Sequence, residues 1–281
     1  MNPWNRLQIT RSGYESKRPF PQAPTSVALL CALTTFLLGA TGAAQDGLPR
    51  NTLWEVVHKV CVPGQSERQN PMPCLQVDLS GGIEKGFAIL KDPRGATQFL
   101  LVPTARISGI ESPSILDPEA TNYFADAWDA RTFINATLGR TLPRDSIGLA
   151  INSVLSRSQD QLHIHVACIH PNVLNALRKN QGRIGNLWAP FNVPLLGRFY
   201  AAIWVSGEDL GPNNPFRMLA ERLPGAALDM ANRTLVVIGF TRTDGSKGFV
   251  ILTDQVKKES RDFANGEELL DRNCDIAVAK Q

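Results

Sequence analysis

Three of the chain's four histidines fall within one short stretch, DQLHIHVACIHP, residues 160–171. His163 and His165 are separated by a single apolar residue inside an apolar run. The run reads as a strand over 161–169, and on a strand alternate residues share a face. Leu162, Ile164, Val166 and Cys168 then make an apolar face, while Gln161, His163 and His165 line the other, with Ala167 closing the row.

Such a row supports three kinds of chemistry. Two imidazoles at i and i+2 can share a metal ion, with a third ligand from Asp160, His170 or a residue distant in sequence. His170 would fall on the apolar face of a regular strand, and no cysteine cluster assists. A neutral imidazole is also a good nucleophile toward phosphorus near pH 7, and a second one at i+2 can hold a phosphoryl oxygen or orient the first. The plainest reading is a pair of hydrogen-bonded strand histidines with no reaction of their own. His58 sits alone in a helical pattern and reads as a surface or packing residue.

The surrounding elements must position this row. NTLWEVVHKVC, residues 51–61, has apolar residues at helical spacing and an Asn cap. GFAILKD and TQFLLVPT flank the turn PRGA and predict a hairpin over 86–104. DPEATNYFADAWDARTFINATLG predicts a long amphipathic helix over 117–139, with an Asp cap, Pro in its first turn and Gly at its end. A strand comes next over 145–154, then the histidine strand, then a polar helix starting at Pro171. Residues 183–197, rich in Trp, Phe and Pro, read as a loop. RFYAAIWVS reads as a strand, NPFRMLAERLP as a helix, and RTLVVIGFTR and GFVILTD as a hairpin around TDGSK. Strands and helices mix without βαβ regularity, which predicts an α+β fold with a mainly antiparallel sheet. Residues 183–281 repeat the order strand, helix, strand, strand without a histidine pair, as a decayed duplication would.

Composition narrows the function class. The net charge of +3 over 281 residues comes from Arg6, Arg11, Lys17 and Arg18 against Glu15, so the rest of the chain balances and gives no electrostatic footprint for nucleic acid. Residues 1–22 form a basic N-terminus ahead of the uncharged stretch 23–44, whose apolar core Val27–Ala40 has signal-peptide length and, with its flanks, the roughly 20 residues that span a bilayer. Basic residues before that stretch keep the N-terminus cytoplasmic and export residues 45–281, on a retained anchor or after cleavage near GATGAAQ. Cys31 is not a lipoprotein site, because Leu30 is too large and the position lies inside the apolar core. In an oxidising compartment the remaining cysteines, Cys61, Cys74, Cys168 and Cys274, suggest two disulfides, for which three pairings exist. Cys61 and Cys74 enclose a polar, proline-rich loop that benefits from a staple, which favours Cys61–Cys74 with Cys168–Cys274.

QLHIHVA resembles the histidine-triad signature, His-φ-His-φ-His-φ-φ with φ apolar. The resemblance implies a nucleotidyl-histidine intermediate on His163, with His165 at the last triad position and Gln161 departing from the first. LAINS and SRSQ are similar to the family's strand-end Asn and the polar residues before the triad, matching Asn152 and Ser158. LKDPRGATQFLLVPTARIS is similar to its nucleotide-binding hairpin, where Asp92 matches the ribose-holding Asp. Gln98 and Arg106 stand where common members carry histidines. With the N-terminal apolar segment, the cysteines, ISGIESPSILDP and SQDQLHIHVACIHPNV, the chain from about Trp54 onward resembles the CDP-diacylglycerol pyrophosphatase branch of that superfamily.

That resemblance implies an HIT-like catalytic domain over 50–281, acting as a monomer on CDP-diacylglycerol at the periplasmic face of an inner membrane, with no metal or other cofactor. It implies roles for His163, His165, Ser158 and Gln161 in catalysis and for Asp92 and Asn152 in holding the nucleoside. Arg106 and Lys91 read equally as surface charges or phosphate contacts. Asp92 also reads as a plain turn cap. Trp188, Phe191, Trp204 and Phe216 suit either acyl chains or a core. Rival readings are cytidylyl transfer, hydrolysis of a soluble dinucleotide, and a periplasmic metal- or lipid-binding protein without turnover.

Overall fold

A computed structural model describes residues 49–278. The basic N-terminus and the apolar stretch 23–44 lie outside the described residues. Among the described residues, no helix is long and apolar enough to cross a membrane.

The chain opens with a helical run of α1 (Thr52–Val56), a π-helical turn (Val57–Cys61) and α2 (Val62–Arg68). It therefore extends well past the expected end at Cys61. Asn51 makes no side-chain cap; its Oδ1 accepts from Arg106 Nη2 at 2.6 Å instead. Strands β1 (Gln76–Asp78), β2 (Phe87–Lys91) and β3 (Phe99–Pro103) form a meander that contains the expected hairpin. The long helix expected over 117–139 is broken: a 3₁₀ turn covers Pro113–Leu116, and the helices are α3 (Tyr123–Asp129) and α4 (Arg131–Leu138). Asp117 and Pro118 therefore precede the helix rather than start it, while Gly139 ends it in the left-handed conformation as expected.

Next come β4 (Ile147–Ile151), β5 (Ile164–Ile169) and α5 (Pro171–Lys179). Residues 183–197 hold a strand where a loop was expected, β6 (Ala189–Leu195). It lies at the end of the sheet, and prolines such as Pro190 and Pro194 are tolerated on an edge strand, which has one side without a ladder. β7 (Arg198–Ser206), α6 (Pro215–Arg222), β8 (Leu235–Thr241), β9 (Lys247–Thr253), β10 (Leu270–Asp271) and α7 (Asp275–Val278) complete the chain.

All the strands join one antiparallel sheet in the order β1-β2-β3-β5-β4-β8-β9-β7-β6, with β10 beside β5. The second half thus extends the first half's sheet across the β4–β8 pair. α3, α4 and α6 pack on one face, over Leu149, Ile164, Val166, Val237 and Ile251. The other face carries two separate clusters. Ala150, Ala167 and Ile169 lie with Val173, Leu174 and Leu177 of α5, while Ala88, Leu100 and Val102 lie with the α1–α2 run. Polar groups occupy the seam between them. Disulfides Cys61–Cys74 and Cys168–Cys274 have Cα separations of 5.7 and 5.1 Å, and the two together fit an oxidising compartment.

Candidate active site

The seam arises from the strand repeat. His165 of β5 pairs with Leu100 of β3 on one side and Ala150 of β4 on the other. His163, Gln98 and Asn152 each stand two residues from a member of that row, so all four side chains share its face. The opposite face of β5 carries Leu162, Ile164, Val166 and Cys168 in the main core, as the alternation predicted.

A fifth group reaches the seam from the far end of the chain. β10 pairs with Cys168 and Ile169 on the edge of β5 that β3 leaves open, and the disulfide to Cys274 fastens it there. The 3₁₀ turn Gly266–Leu269 just before β10 inserts Glu267 among the histidines. Gly266 makes this approach feasible, because a β-carbon there would collide with Thr234 Oγ1 and the Ile151 carbonyl.

His163 Nδ1 lies 2.7 Å from the Gln161 carbonyl oxygen. A carbonyl only accepts, so Nδ1 carries the proton and Nε2 keeps its lone pair. His165 Nδ1 lies 3.1 Å from Gln98 Nε2, whose two hydrogens are shared among Asp92, Glu267 and this ring, and its Nε2 is buried 3.4 Å from Glu267 Oε2 without a hydrogen bond. The two rings meet edge to face with centroids 5.0 Å apart. Burial lowers both imidazoles below the ordinary histidine range, His165 to about 3, so both are neutral at pH 7.

Glu267 gathers the network. Its Oε1 accepts from Gln98 Nε2 at 3.0 Å and from Arg272 Nη2 at 2.8 Å, with Arg94 Nη2 at 3.4 Å. Its backbone N–H donates to Asn152 Oδ1 at 3.1 Å, and Asn152 Nδ2 approaches Oε2 at 3.4 Å. Burial alone would raise the Glu267 carboxyl; His165, the Gln98 amide and the two guanidiniums outweigh it and hold the group ionised. Asp92 is buried as well. It caps its turn by accepting from the Arg94 N–H at 2.8 Å, and it accepts from Gln98 Nε2 at 2.7 Å. Burial opposes its ionisation, but the hydrogen bonds from Arg94 and Gln98 prevail and its pKa is lowered.

The remaining sequence candidates have other partners. Gln161 lines the same cleft as His163, but it is buried and commits both N–H groups to backbone, to Pro103 O at 3.0 Å and Ala105 O at 2.8 Å, so it clamps the end of β3 and has no hydrogen left for a phosphoryl oxygen. Ser158 is exposed on the loop before β5. Lys91 Nζ donates to the Asp92 and Gly95 carbonyls and closes its own hairpin. Arg106 lies over the Trp54 ring beside Asn51. His58 stacks on Trp54, and His170 caps α5. Phe191 and Phe216 are core residues, Trp188 is hydrogen bonded to Met218 O, and Trp204 packs on Phe240 and under Arg242. Phe191 and Phe216 therefore have no surface for acyl chains, while Trp188 and Trp204 are half-buried.

His163 lines a narrow cleft of about 10 Å³ together with Gly109, Ile110, Asn152, Arg157 and Gln161. Arg157 is buried and paired with Glu111 at 2.6 Å and Asp160 at 3.0 Å. Gly109 makes room for its guanidinium, which a β-carbon would strike.

Comparison with known proteins decides what this arrangement belongs to. Residues 48–278 match the family described as CDP-diacylglycerol pyrophosphatase. A protein of that name from Yersinia pestis is 38% identical over 226 residues, spanning 80% of this chain and 84% of the relative. The chain belongs to the CDP-diacylglycerol pyrophosphatase family.

Within this family member, the seam also contains groups that sequence reasoning passed over: Glu267, Arg94, Arg272 and Arg157, with Gln98 noted only as a departure. Pairing Cys168 with Cys274 was the available signal, since it brings the segment just ahead of Cys274 beside the histidine strand. Asp92, His165 and Glu267 offer ligand atoms within 4.8 Å of one another. They fit a cation poorly: the Gln98 amide nitrogen sits among all three, and Arg94 and Arg272 already balance the two carboxylates.

Proposed function

We propose that the chain hydrolyses the pyrophosphate of CDP-diacylglycerol to CMP and phosphatidate through a cytidylyl-histidine intermediate on His163. Family membership supports the reaction. One observation carries the role of His163: its Nδ1–H is held by the Gln161 carbonyl, which leaves the Nε2 lone pair for the cleft.

Nε2 attacks the phosphorus that bears cytidine, the P–O bond to phosphatidate breaks, and phosphatidate leaves with the bridging oxygen. A phosphate monoester has a second pKa near ~6, so it departs as an anion with little need of a strong acid. Water then cleaves the N–P bond and releases CMP. Arg157 lines the cleft and, beyond the N–H groups it gives to Glu111 and Asp160, has others to donate to phosphoryl oxygens, a task the exposed Ser158 would share only if its loop closes. His165 and Glu267 orient the nucleophile's neighbourhood. Asp92 and Asn152 stand at the nucleoside end. No step requires a metal ion.

The same function extends to the whole molecule. The antiparallel strands β2-β3-β5-β4 with their hairpin support an HIT-like fold. The β4–β8 junction supports residues 183–281 as a half-sheet that replaces the partner of a dimer, so the enzyme acts as a monomer. Residues 23–44 serve as a single-pass anchor, with 1–22 cytoplasmic and the domain periplasmic, facing lipid substrate and no nucleic acid. The test is CMP release from CDP-diacylglycerol in the presence of chelator. Wild type should release it and His163→Ala should not; equal release by both would reject the nucleophile, and release by neither would reject the reaction.

A further inference from the structure

The substrate assigned above has its acyl chains in a bilayer, so the cleft at His163 must meet a membrane surface. The rim of that cleft is built from three chain-distant segments tied together by backbone. Ser153 N donates to Ala264 O at 3.2 Å, Ser153 Oγ donates to Phe263 O, and Val154 N donates to Ala231 O at 2.9 Å. The segment so held, 153–157, runs from Asn152 to Arg157, both of which line the cleft.

Each of the three segments tied together in this way exposes a large apolar side chain. Leu155 is 47% exposed, Leu228 96% and Phe263 43%. Exposed apolar residues are ordinary one at a time, but three on segments joined by backbone hydrogen bonds to the stretch between Asn152 and Arg157 suit a contact surface. Lys258 and Arg261 are exposed on the same loop as Phe263 and take part in no ion pair among the described residues, with Glu259 between them. Their positive excess suits anionic headgroups.

The path of the chain points the same way. Arg50 pairs with Asp160 through two contacts of 2.7 Å, Asp160 N donates to Arg50 O at 2.7 Å, and Gln159 Nε2 donates to Pro49 O at 3.2 Å. The described fold therefore begins on residues 157–160, which continue the rim. In sequence, only residues 45–48 separate Pro49 from the apolar stretch 23–44, and an extended chain covers at most ~3.6 Å per residue. A tether that short suits a cleft rim held against the bilayer.

We infer that Leu155, Leu228 and Phe263 form a membrane-docking rim that seats the His163 cleft on an anionic lipid surface. The inference rests on the reaction proposed above. The full chain, reconstituted in phosphatidylethanolamine–phosphatidylglycerol vesicles, is assayed on long-chain CDP-diacylglycerol in the bilayer and on a short-chain analogue dissolved as monomer. The triple variant Leu155→Ser, Leu228→Ser, Phe263→Ser should lose at least tenfold on the bilayer substrate and stay within twofold of wild type on the dissolved one. Leu228→Ser alone, at the most exposed position, should show the same selectivity at smaller size. Unchanged rates on both substrates, or equal losses on both, would overturn the docking rim. A wild type that releases CMP from neither would instead overturn the reaction, and the rim with it.

Discussion

Glu267→Gln is the substitution that tests the seam most sharply. It keeps the shape of the side chain and replaces one acceptor oxygen by a donor NH2. Oε1 accepts from Gln98 and Arg272, and Oε2 from Asn152 Nδ2, with His165 Nε2 unpartnered 3.4 Å away. The three bonded partners all donate, so either amide orientation sets a donor against at least one donor. The arginines are 50% and 41% exposed, and water replaces much of what they lose. The uncompensated cost therefore falls on the buried side, where each unmet donor costs about 1–3 kcal/mol. The Oε2 bond from Asn152 is long, 3.4 Å, which selects the lower end and gives ~1–2 kcal/mol in total. Equilibrium urea unfolding under oxidising conditions should show that loss as a lower midpoint at unchanged slope. If His165 and Asn152 shift with it, kcat/KM for CMP release should fall ~5- to 30-fold, at about 1.4 kcal/mol per decade. An unchanged midpoint together with kcat/KM within twofold of wild type would refute the network.

Two more predictions concern stability. The Cys168–Cys274 disulfide closes a sequence separation of 106 residues and Cys61–Cys74 one of 13, so on chain entropy the first contributes about 4–5 kcal/mol and the second about 3. Replacing both cysteines of the longer link by Ser should lower the melting temperature more than the same change in the shorter one, and should also lower activity because β10 carries Glu267; an active, unshifted Cys168→Ser/Cys274→Ser protein would contradict this. For pH, both seam histidines have folded pKa values below the ~6.5 of an unfolded chain. Their contribution is complete above ~6.5 and declines as pH falls toward their lowered folded values, about 3 for His165, because only the unfolded chain takes up the protons. Urea midpoints should therefore drop between pH 7.5 and 5, with a slope of up to about 1.4 kcal/mol per pH unit for each histidine, and a flat profile would remove the buried neutral pair.

Much of this architecture is legible in the chain itself. The apolar alternation of residues 162–168 placed the histidines on one face, because a strand has a two-residue repeat that periodicity can detect. The turn at PRGA, the hairpin at TDGSK and the Cys61–Cys74 staple were readable for the same local reasons, and Cys168–Cys274 followed only as the remaining pair. The broken helix was not: Asp117 and Pro118 are ordinary start signals, and only the packing of Ile115, Tyr123 and Phe124 decides that the helix begins later. β6 was hidden by prolines that matter less at a sheet edge. Glu267 carried no local signature at all. Its place depends on β10 filling the open half of the β5 edge, a long-range event that a single sequence registers only through Cys274. Gln161 shows the converse limit, since its position in the row was right while its hydrogens turn out to serve backbone carbonyls.

The most direct test of the mechanism is to trap the intermediate. The full chain is mixed with CDP-diacylglycerol labelled at the cytidine-linked phosphate, quenched under alkaline conditions within the first turnover, and mapped by peptide mass spectrometry. A His163 nucleophile predicts an acid-labile cytidylyl adduct on that residue in wild type, its absence from His163→Ala, and its persistence at lower yield in Glu267→Gln. Turnover to CMP with no adduct on His163, or with the label on another residue, would contradict it.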